Sequence, residues 1–204
     1  MKREYPYSRF SALAELRIAD CLLKQNKQAE AIQAYRQFVR FRPSHSQVPY
    51  ARFKIAQAHV EQIPDEWLLS PASHERDQGP TREALRQLRR FMLDFPDDER
   101  IPEAREMMTK ALKLLAQHEL SVAEFYADRD AYRAVVGRLQ TLLDSYQGSG
   151  MEPRALLMLG RTYLDMRQRP KARRAFQELV ERFPDSEQAR EAREHLTELG
   201  SVEG

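Results

Sequence analysis

Cysteine occurs once in this chain of 204 residues, tryptophan once and glycine seven times. A lone Cys21 excludes an internal disulfide framework. Seven glycines, against a usual share of about 7%, are too few for a fold built on hairpin turns, so helix is favoured over sheet. No apolar run approaches the roughly 20 residues that a membrane-spanning helix needs. Charge of one sign is also missing, since 33 Lys and Arg face 31 Asp and Glu, and a net +2 creates no field able to gather nucleic acid. There is no Gly-rich phosphate loop and no nucleophile elbow. The five histidines, His45, His59, His74, His118 and His195, show no ligand-like spacing with one another or with Cys21. No metal, no cofactor and no enzymatic activity are expected.

What is present is periodic. Three amphipathic runs close on an aromatic followed by proline, at Phe41-Arg42-Pro43, Phe95-Pro96 and Phe183-Pro184. Proline cannot continue a helix and pushes its predecessor out of the α region, so each is a stop. Tyr5-Pro6 has the same form, and it reads as the last punctuation of an upstream repeat. The expectation is that the native gene encodes one more helical pair and a lipoprotein signal before Met1.

Between the stops lies an internal repeat. Leu156, Leu159-Gly160, Tyr163, Ala172, Phe176 and Pro184 fulfil the tetratricopeptide pattern, with Leu in the Trp position. A second copy runs Ile18-Ala19, Leu22, Ala31, Tyr35, Pro43, and a third Ile55-Ala56, His59, Ala84, Leu88, Pro96. A weaker fourth is Val122-Ala123, Tyr126, Val135, Leu139, with Gln147 where proline is due. The small residue lets two helices touch closely and the aromatic fills the space beside it. The fold class is therefore all-α, a tetratricopeptide-like solenoid of about four helix pairs with a C-terminal capping helix. Repeats are expected over 11–44, 47–97, 101–147 and 153–185, with a tail of an upstream repeat over 1–10, a cap over 186–199 and a flexible end over 200–204. The third of these opens with a single helix of about 25 residues after Pro102, which has no breaker behind it.

Candidate binding residues follow from these units. An insertion over 63–79 separates the helices of the second repeat and carries Trp67, Leu68 and Leu69, a possible partner anchor or a cover for a gap. In the first helix of each unit, a stripe spaced 3, 4, 3 is expected to line the groove: Leu13, Leu16, Asp20, Leu23, then Tyr50, Phe53, Gln57, Val60, then Arg154, Leu157, Arg161, Leu164. The competing use of Leu13 and Leu16 is packing on an upstream repeat. Cys21 is expected to be a buried structural thiol. The basic run Met166–Phe176 reads as a solvated face, with an anionic lipid or acidic partner as the alternative.

One segment goes beyond the repeat. His118–Tyr146, HELSVAEFYADRDAYRAVVGRLQTLLDSY, with its His-Glu-Leu, Val-Ala, paired aromatics, charged turn and Ala-Tyr-x-Ala-x-x-x-Arg, resembles the BamD family of outer-membrane β-barrel assembly lipoproteins. The stretch Asp77–Leu85 is similar to that family's entry into a helix after an insertion. The resemblance implies a periplasmic scaffold, lipid-anchored at the outer membrane, that docks BamA with other subunits of that machinery and helps receive C-terminal strands of unfolded outer-membrane proteins. It implies Arg138 as a BamA contact, with Arg154 and Arg161 beside it. Leu13, Leu16, Leu23, Tyr50, Phe53 and Val60 would then serve the client. The alternative is a generic repeat adaptor, periplasmic or cytosolic, of another complex.

Overall fold

The computed structural model describes residues 9–63 and 77–201. Among them every regular element is an α-helix: α1 (Arg9–Lys24), α2 (Gln28–Phe41), α3 (Val48–Glu61), α4 (Gly79–Asp94), α5 (Ile101–Ala127), α6 (Tyr132–Ser145), α7 (Glu152–Asp165), α8 (Arg169–Arg182) and α9 (Glu187–Ser201). The fold is all-α and tetratricopeptide-like. Tyr5-Pro6 and the Trp67-Leu68-Leu69 triplet lie outside the described residues.

Proline sets both ends of these helices. α2, α4 and α8 each stop two residues before a proline, Pro43, Pro96 and Pro184, and the capping N–H of Arg42, Phe95 and Phe183 donates to the carbonyl four residues back. Pro49, Pro80, Pro153 and Pro170 sit in first turns, where the missing N–H costs nothing. Pro102 does the same for α5, which then runs unbroken for 27 residues. At the turn that lacks proline, Gly148 (φ 80°) and Gly150 (φ 77°) supply the left-handed backbone. The buried Glu152 fastens it, accepting from the Gly148 N–H at 2.5 Å and the Ser149 hydroxyl at 3.3 Å.

The chain forms two compact units, and the division falls inside α5, after Ala111. In the first unit α1 packs on α2, α2 on α3 and α3 on α4. One core joins Ala12, Leu16, Ala19 and Leu23 of α1 to Ala31, Ile32, Tyr35 and Phe38 of α2. A second gathers Phe53, Ala56, Leu88, Phe91, Ile101 and Ala104. In the second unit α6 packs on α7, α7 on α8, and α8 on α9. The small positions Ala19, Ala56 and Ala123 are completely buried. At the fourth, a Cβ on Gly160 would lie 2.3 Å from the Phe176 ring, so only glycine fits against that aromatic.

Cys21 departs from expectation, because its side chain is exposed. α1 buries Ala12, Leu16, Ala19 and Leu23, and Cys21 follows Ala19 by two residues, roughly 200° round the helix.

Candidate functional site

The first unit contains a cleft of about 540 Å³ between α1 and α3, lined among others by Arg17, Asp20, Lys24, Tyr50, Lys54 and Glu61, with Tyr35 of α2 behind them. Asp20 is its hub. One carboxylate oxygen accepts from the Tyr35 hydroxyl at 2.6 Å and from the Tyr50 hydroxyl at 2.7 Å, while the other takes Arg17 at 3.1 Å. Three helices are thereby tied to one carboxylate. Burial, then the bond to Asp20, raises both phenols: Tyr50 is pushed up to about 12 and Tyr35 also rises well above its ordinary value. Both hydroxyls therefore remain donors at any physiological pH.

Two cations sit over the aromatic wall of the cleft. Lys54 Nζ lies 5.7 Å from the Tyr50 ring centre and Arg100 Cζ 5.6 Å from it. Arg100 is aimed by Asp98, which accepts from its Nε at 2.7 Å and its terminal nitrogen at 2.6 Å. Those hydrogen bonds hold Asp98 below the usual carboxylate range.

The sequence stripe and this cleft overlap only in part. Asp20, Leu23, Tyr50 and Gln57 line it, whereas Leu13, Leu16, Phe53 and Val60 do not. Leu16 and Leu23 are buried against α2, and Phe53, 2% exposed, sets its ring centre 5.4 Å from that of Phe91 at a tilt of 59°. Leu16 and Phe53 belong to the core and not to the cleft, which corrects the apolar-groove expectation for them, while Leu23 is both packed on α2 and at the cleft wall. Val60 is half-buried against the second core, and Leu13 is 49% exposed away from the cleft. The error is one of phase. Beside the shared Asp20, Tyr50 and Gln57, the rim takes Arg17, Lys24, Lys54 and Glu61, each one residue and so about 100° round the helix from Leu16, Leu23, Phe53 and Val60, and it is mainly polar and aromatic.

The three candidate arginines lie in the second unit, each paired with a glutamate. Arg154 reaches Glu124 at 3.4 Å, both half-exposed. Arg161 pairs with Glu191. Arg138 differs, because its partner Glu119, 3.3 Å away, is 2% exposed. The sequence reading missed Glu119, although it stands in the His-Glu-Leu motif. Its signal was a carboxylate at a position where helical period demands an apolar residue. Leu115, Ala116, Leu120 and Ala123 around it are all buried. Beyond this pair, the Arg129 guanidinium lies 3.6 Å over the Phe125 ring and donates to the Phe125 carbonyl at 2.8 Å, fixing the α5–α6 corner.

Paired helices around small-residue contacts, with an open cleft on the first unit, define a helical-repeat protein. A tetratricopeptide-repeat model matches residues 157–198. A model of the outer membrane lipoprotein family YfiO matches residues 1–175, and the chain belongs to that family. Membership assigns it to the outer membrane, on the periplasmic face. Among the described residues no helix is long and apolar enough to cross a membrane.

Similar proteins share one name among themselves. The outer membrane protein assembly factor BamD of Xylella fastidiosa (strain 9a5c) is 26% identical over 184 residues, covering 89% of this chain and 63% of its own length. BamD of Caulobacter vibrioides is 28% identical, covering 90% of this chain and 58% of its own. The chain thus spans about three-fifths of these relatives. A crystal structure of a tetratricopeptide repeat protein from Parabacteroides merdae matches at 14% identity over 94% of this chain and 61% of that one. Its TM-score of 0.35 is too low to argue from.

Proposed function

We propose that the chain is a non-enzymatic scaffold in outer-membrane protein assembly, which docks BamA and other subunits through its second unit and receives unfolded outer-membrane protein strands at the cleft of its first. The match of residues 1–175 to the outer membrane lipoprotein family carries this reading, together with the BamD name of its relatives. The geometry supports a division of labour. A cleft with phenol rings, cations and fixed carboxylates offers stacking and hydrogen bonds to an extended segment that ends in aromatic residues. Arg154 and Arg161, both more than half exposed, offer donors to an acidic patch on a partner subunit.

Two variants test the two halves. Tyr50→Ala with Lys54→Gln removes the exposed part of the aromatic wall and leaves Phe53 in the core. Affinity for a C-terminal β-strand peptide of an outer-membrane protein should fall several-fold, since each aromatic contact is typically worth on the order of 1 kcal/mol. Arg154→Glu with Arg161→Glu should reduce co-purification with BamA by a similar factor without loss of helicity, because exposed ion pairs contribute little to folding. Full peptide affinity in the first variant and full BamA recovery in the second, both in folded protein, would remove the reading.

A further inference from the structure

The second unit carries a cluster of cations that neither the fold nor the docking proposal uses. Arg167 lies in the corner between α7 and α8 and Arg169, Lys171 and Arg174 in the first two turns of α8, and all four are exposed. No acidic residue lies between Met166 and Gln177. Among the described residues none of the four has an ion-pair partner. Arg138, Arg154, Arg161 and Arg182 of the same unit are each paired with a glutamate. Arg173, between them, is committed to the fold, donating to the Leu199 carbonyl at 3.0 Å. The Lys171 ammonium lies 5.5 Å from the centre of the Tyr163 ring, a contact that leaves its charge without a counter-ion.

The placement works against the stability of the corner. Arg167 takes a left-handed φ of 57°, which asparagine and aspartate tolerate better and which Asn26 and Asp130 occupy at the matching corners. The first turn of α8 contains no acidic residue, so its cations oppose the helix dipole. Four unpaired, mutually repelling cations at such a corner have a use if their counter-charge lies outside the chain. Three are arginines, whose planar fork matches phosphate oxygens in pairs.

We infer that the α7–α8 corner is a docking surface for an anionic phospholipid bilayer, with Arg167, Arg169, Lys171 and Arg174 contacting lipid phosphates. The choice of a bilayer rests on the family's place at the outer membrane, the part of the preceding reading on which this inference depends. It does not depend on BamA or on the client cleft. The corner would lie flat against the bilayer, adding a second, electrostatic attachment to whatever lipid anchor the family uses.

The test is sedimentation of the 204-residue chain with vesicles of phosphatidylcholine alone and of phosphatidylcholine mixed with phosphatidylglycerol. The chain should partition onto the anionic vesicles roughly tenfold or more strongly than onto the neutral ones, and the preference should fade as salt is raised. Changing Arg167, Arg169, Lys171 and Arg174 together to Gln should abolish that preference while circular dichroism stays the same. A control with Arg105, Lys110 and Lys113 changed to Gln, exposed cations on α5, should keep most of it. Equal partition of wild type and corner variant, or an equal loss in the control, overturns the inference. So does capture of the corner by polyglutamate with no vesicle binding, which would make the partner an acidic protein. BamA co-purification is read in parallel: a chain that binds anionic vesicles but not BamA supports this inference and removes the docking proposal.

Discussion

At the scale of single residues, the pair Glu119–Arg138 determines how the signature segment can be tested. A carboxylate 2% exposed has one cation at 3.3 Å, and that cation is half in solvent. Charge reversal at Arg138 would therefore set two carboxylates together at a buried site, so any loss of BamA binding would be confounded with a loss of fold. Removing one partner leaves an uncompensated buried charge, whereas neutralising both removes the cost along with the gain. Arg138→Gln should destabilise the chain by about 1–3 kcal/mol, less than a fully buried pair because of Arg138's exposure. Adding Glu119→Gln should restore a large part of that loss. Urea unfolding of the two singles and the double measures it, and additive losses would mean that the pair is not coupled.

At the scale of helices, the closest contact read from the sequence is that of α7 with α8. Leu159-Gly160 and Ala172-x-x-x-Phe176 were the strongest copy of the repeat, and the structure gives the reason, since the Phe176 ring occupies the volume a Cβ would take. Gly160→Ala should cost about 1–3 kcal/mol through overpacking, even though alanine favours helix. A melting temperature at or above wild type would show that the helices separate without penalty. The equivalent sites in the other pairs are already alanine, so the same test applied there would mean Ala19→Gly or Ala56→Gly. Those changes cost only helix propensity, about 1 kcal/mol, and a little packing. The contrast between a glycine that cannot grow and alanines that can shrink separates contact from propensity.

At the scale of the whole molecule, the sign of its pH dependence below neutrality is set by three groups in the first unit. Burial lowers His59, with Glu83 at 3.9 Å pulling it back up and Arg36 and Arg86 reinforcing the fall. For Glu83, hydrogen bonds from Gln87 and Arg86 and the charge of Arg86 outweigh burial, the largest single effect, and the group is lowered. Asp98 is lowered by Arg100. A depressed histidine is neutral in the fold and more readily protonated when unfolded, so stability falls as pH drops below its ordinary 6.5. The depressed carboxylates contribute stability above their ordinary 4.5 and 3.8, and it is lost as pH falls through their folded values. All three point the same way. The urea midpoint should decline between pH 7.5 and 5.5, with a slope from His59 no steeper than about 1.4 kcal/mol per pH unit. His59→Gln should flatten that decline, and an unchanged slope in the variant would assign it elsewhere.

Several features were determined by the sequence alone because their causes are local. Proline and its neighbours end α2, α4 and α8 wherever they stand, and the unbroken stretch after Pro102 becomes one helix because nothing in it interrupts the hydrogen-bond ladder. The small residue and aromatic of each unit announce a close helix pair, and His118–Tyr146 announces the family. Tertiary structure alone decided the rotation of each helix. Leu16, Leu23 and Phe53 share their spacing with a groove stripe, but a helix in a repeat packs on neighbours on two sides, and only the second neighbour determines which flank is left open. That rotation exposes Cys21, brings Tyr35 and Tyr50 onto one oxygen of Asp20 across 15 and 30 residues, and places Glu119 beneath Arg138. No local signal encodes such meetings, because each depends on a crossing angle that the packing of whole helices sets.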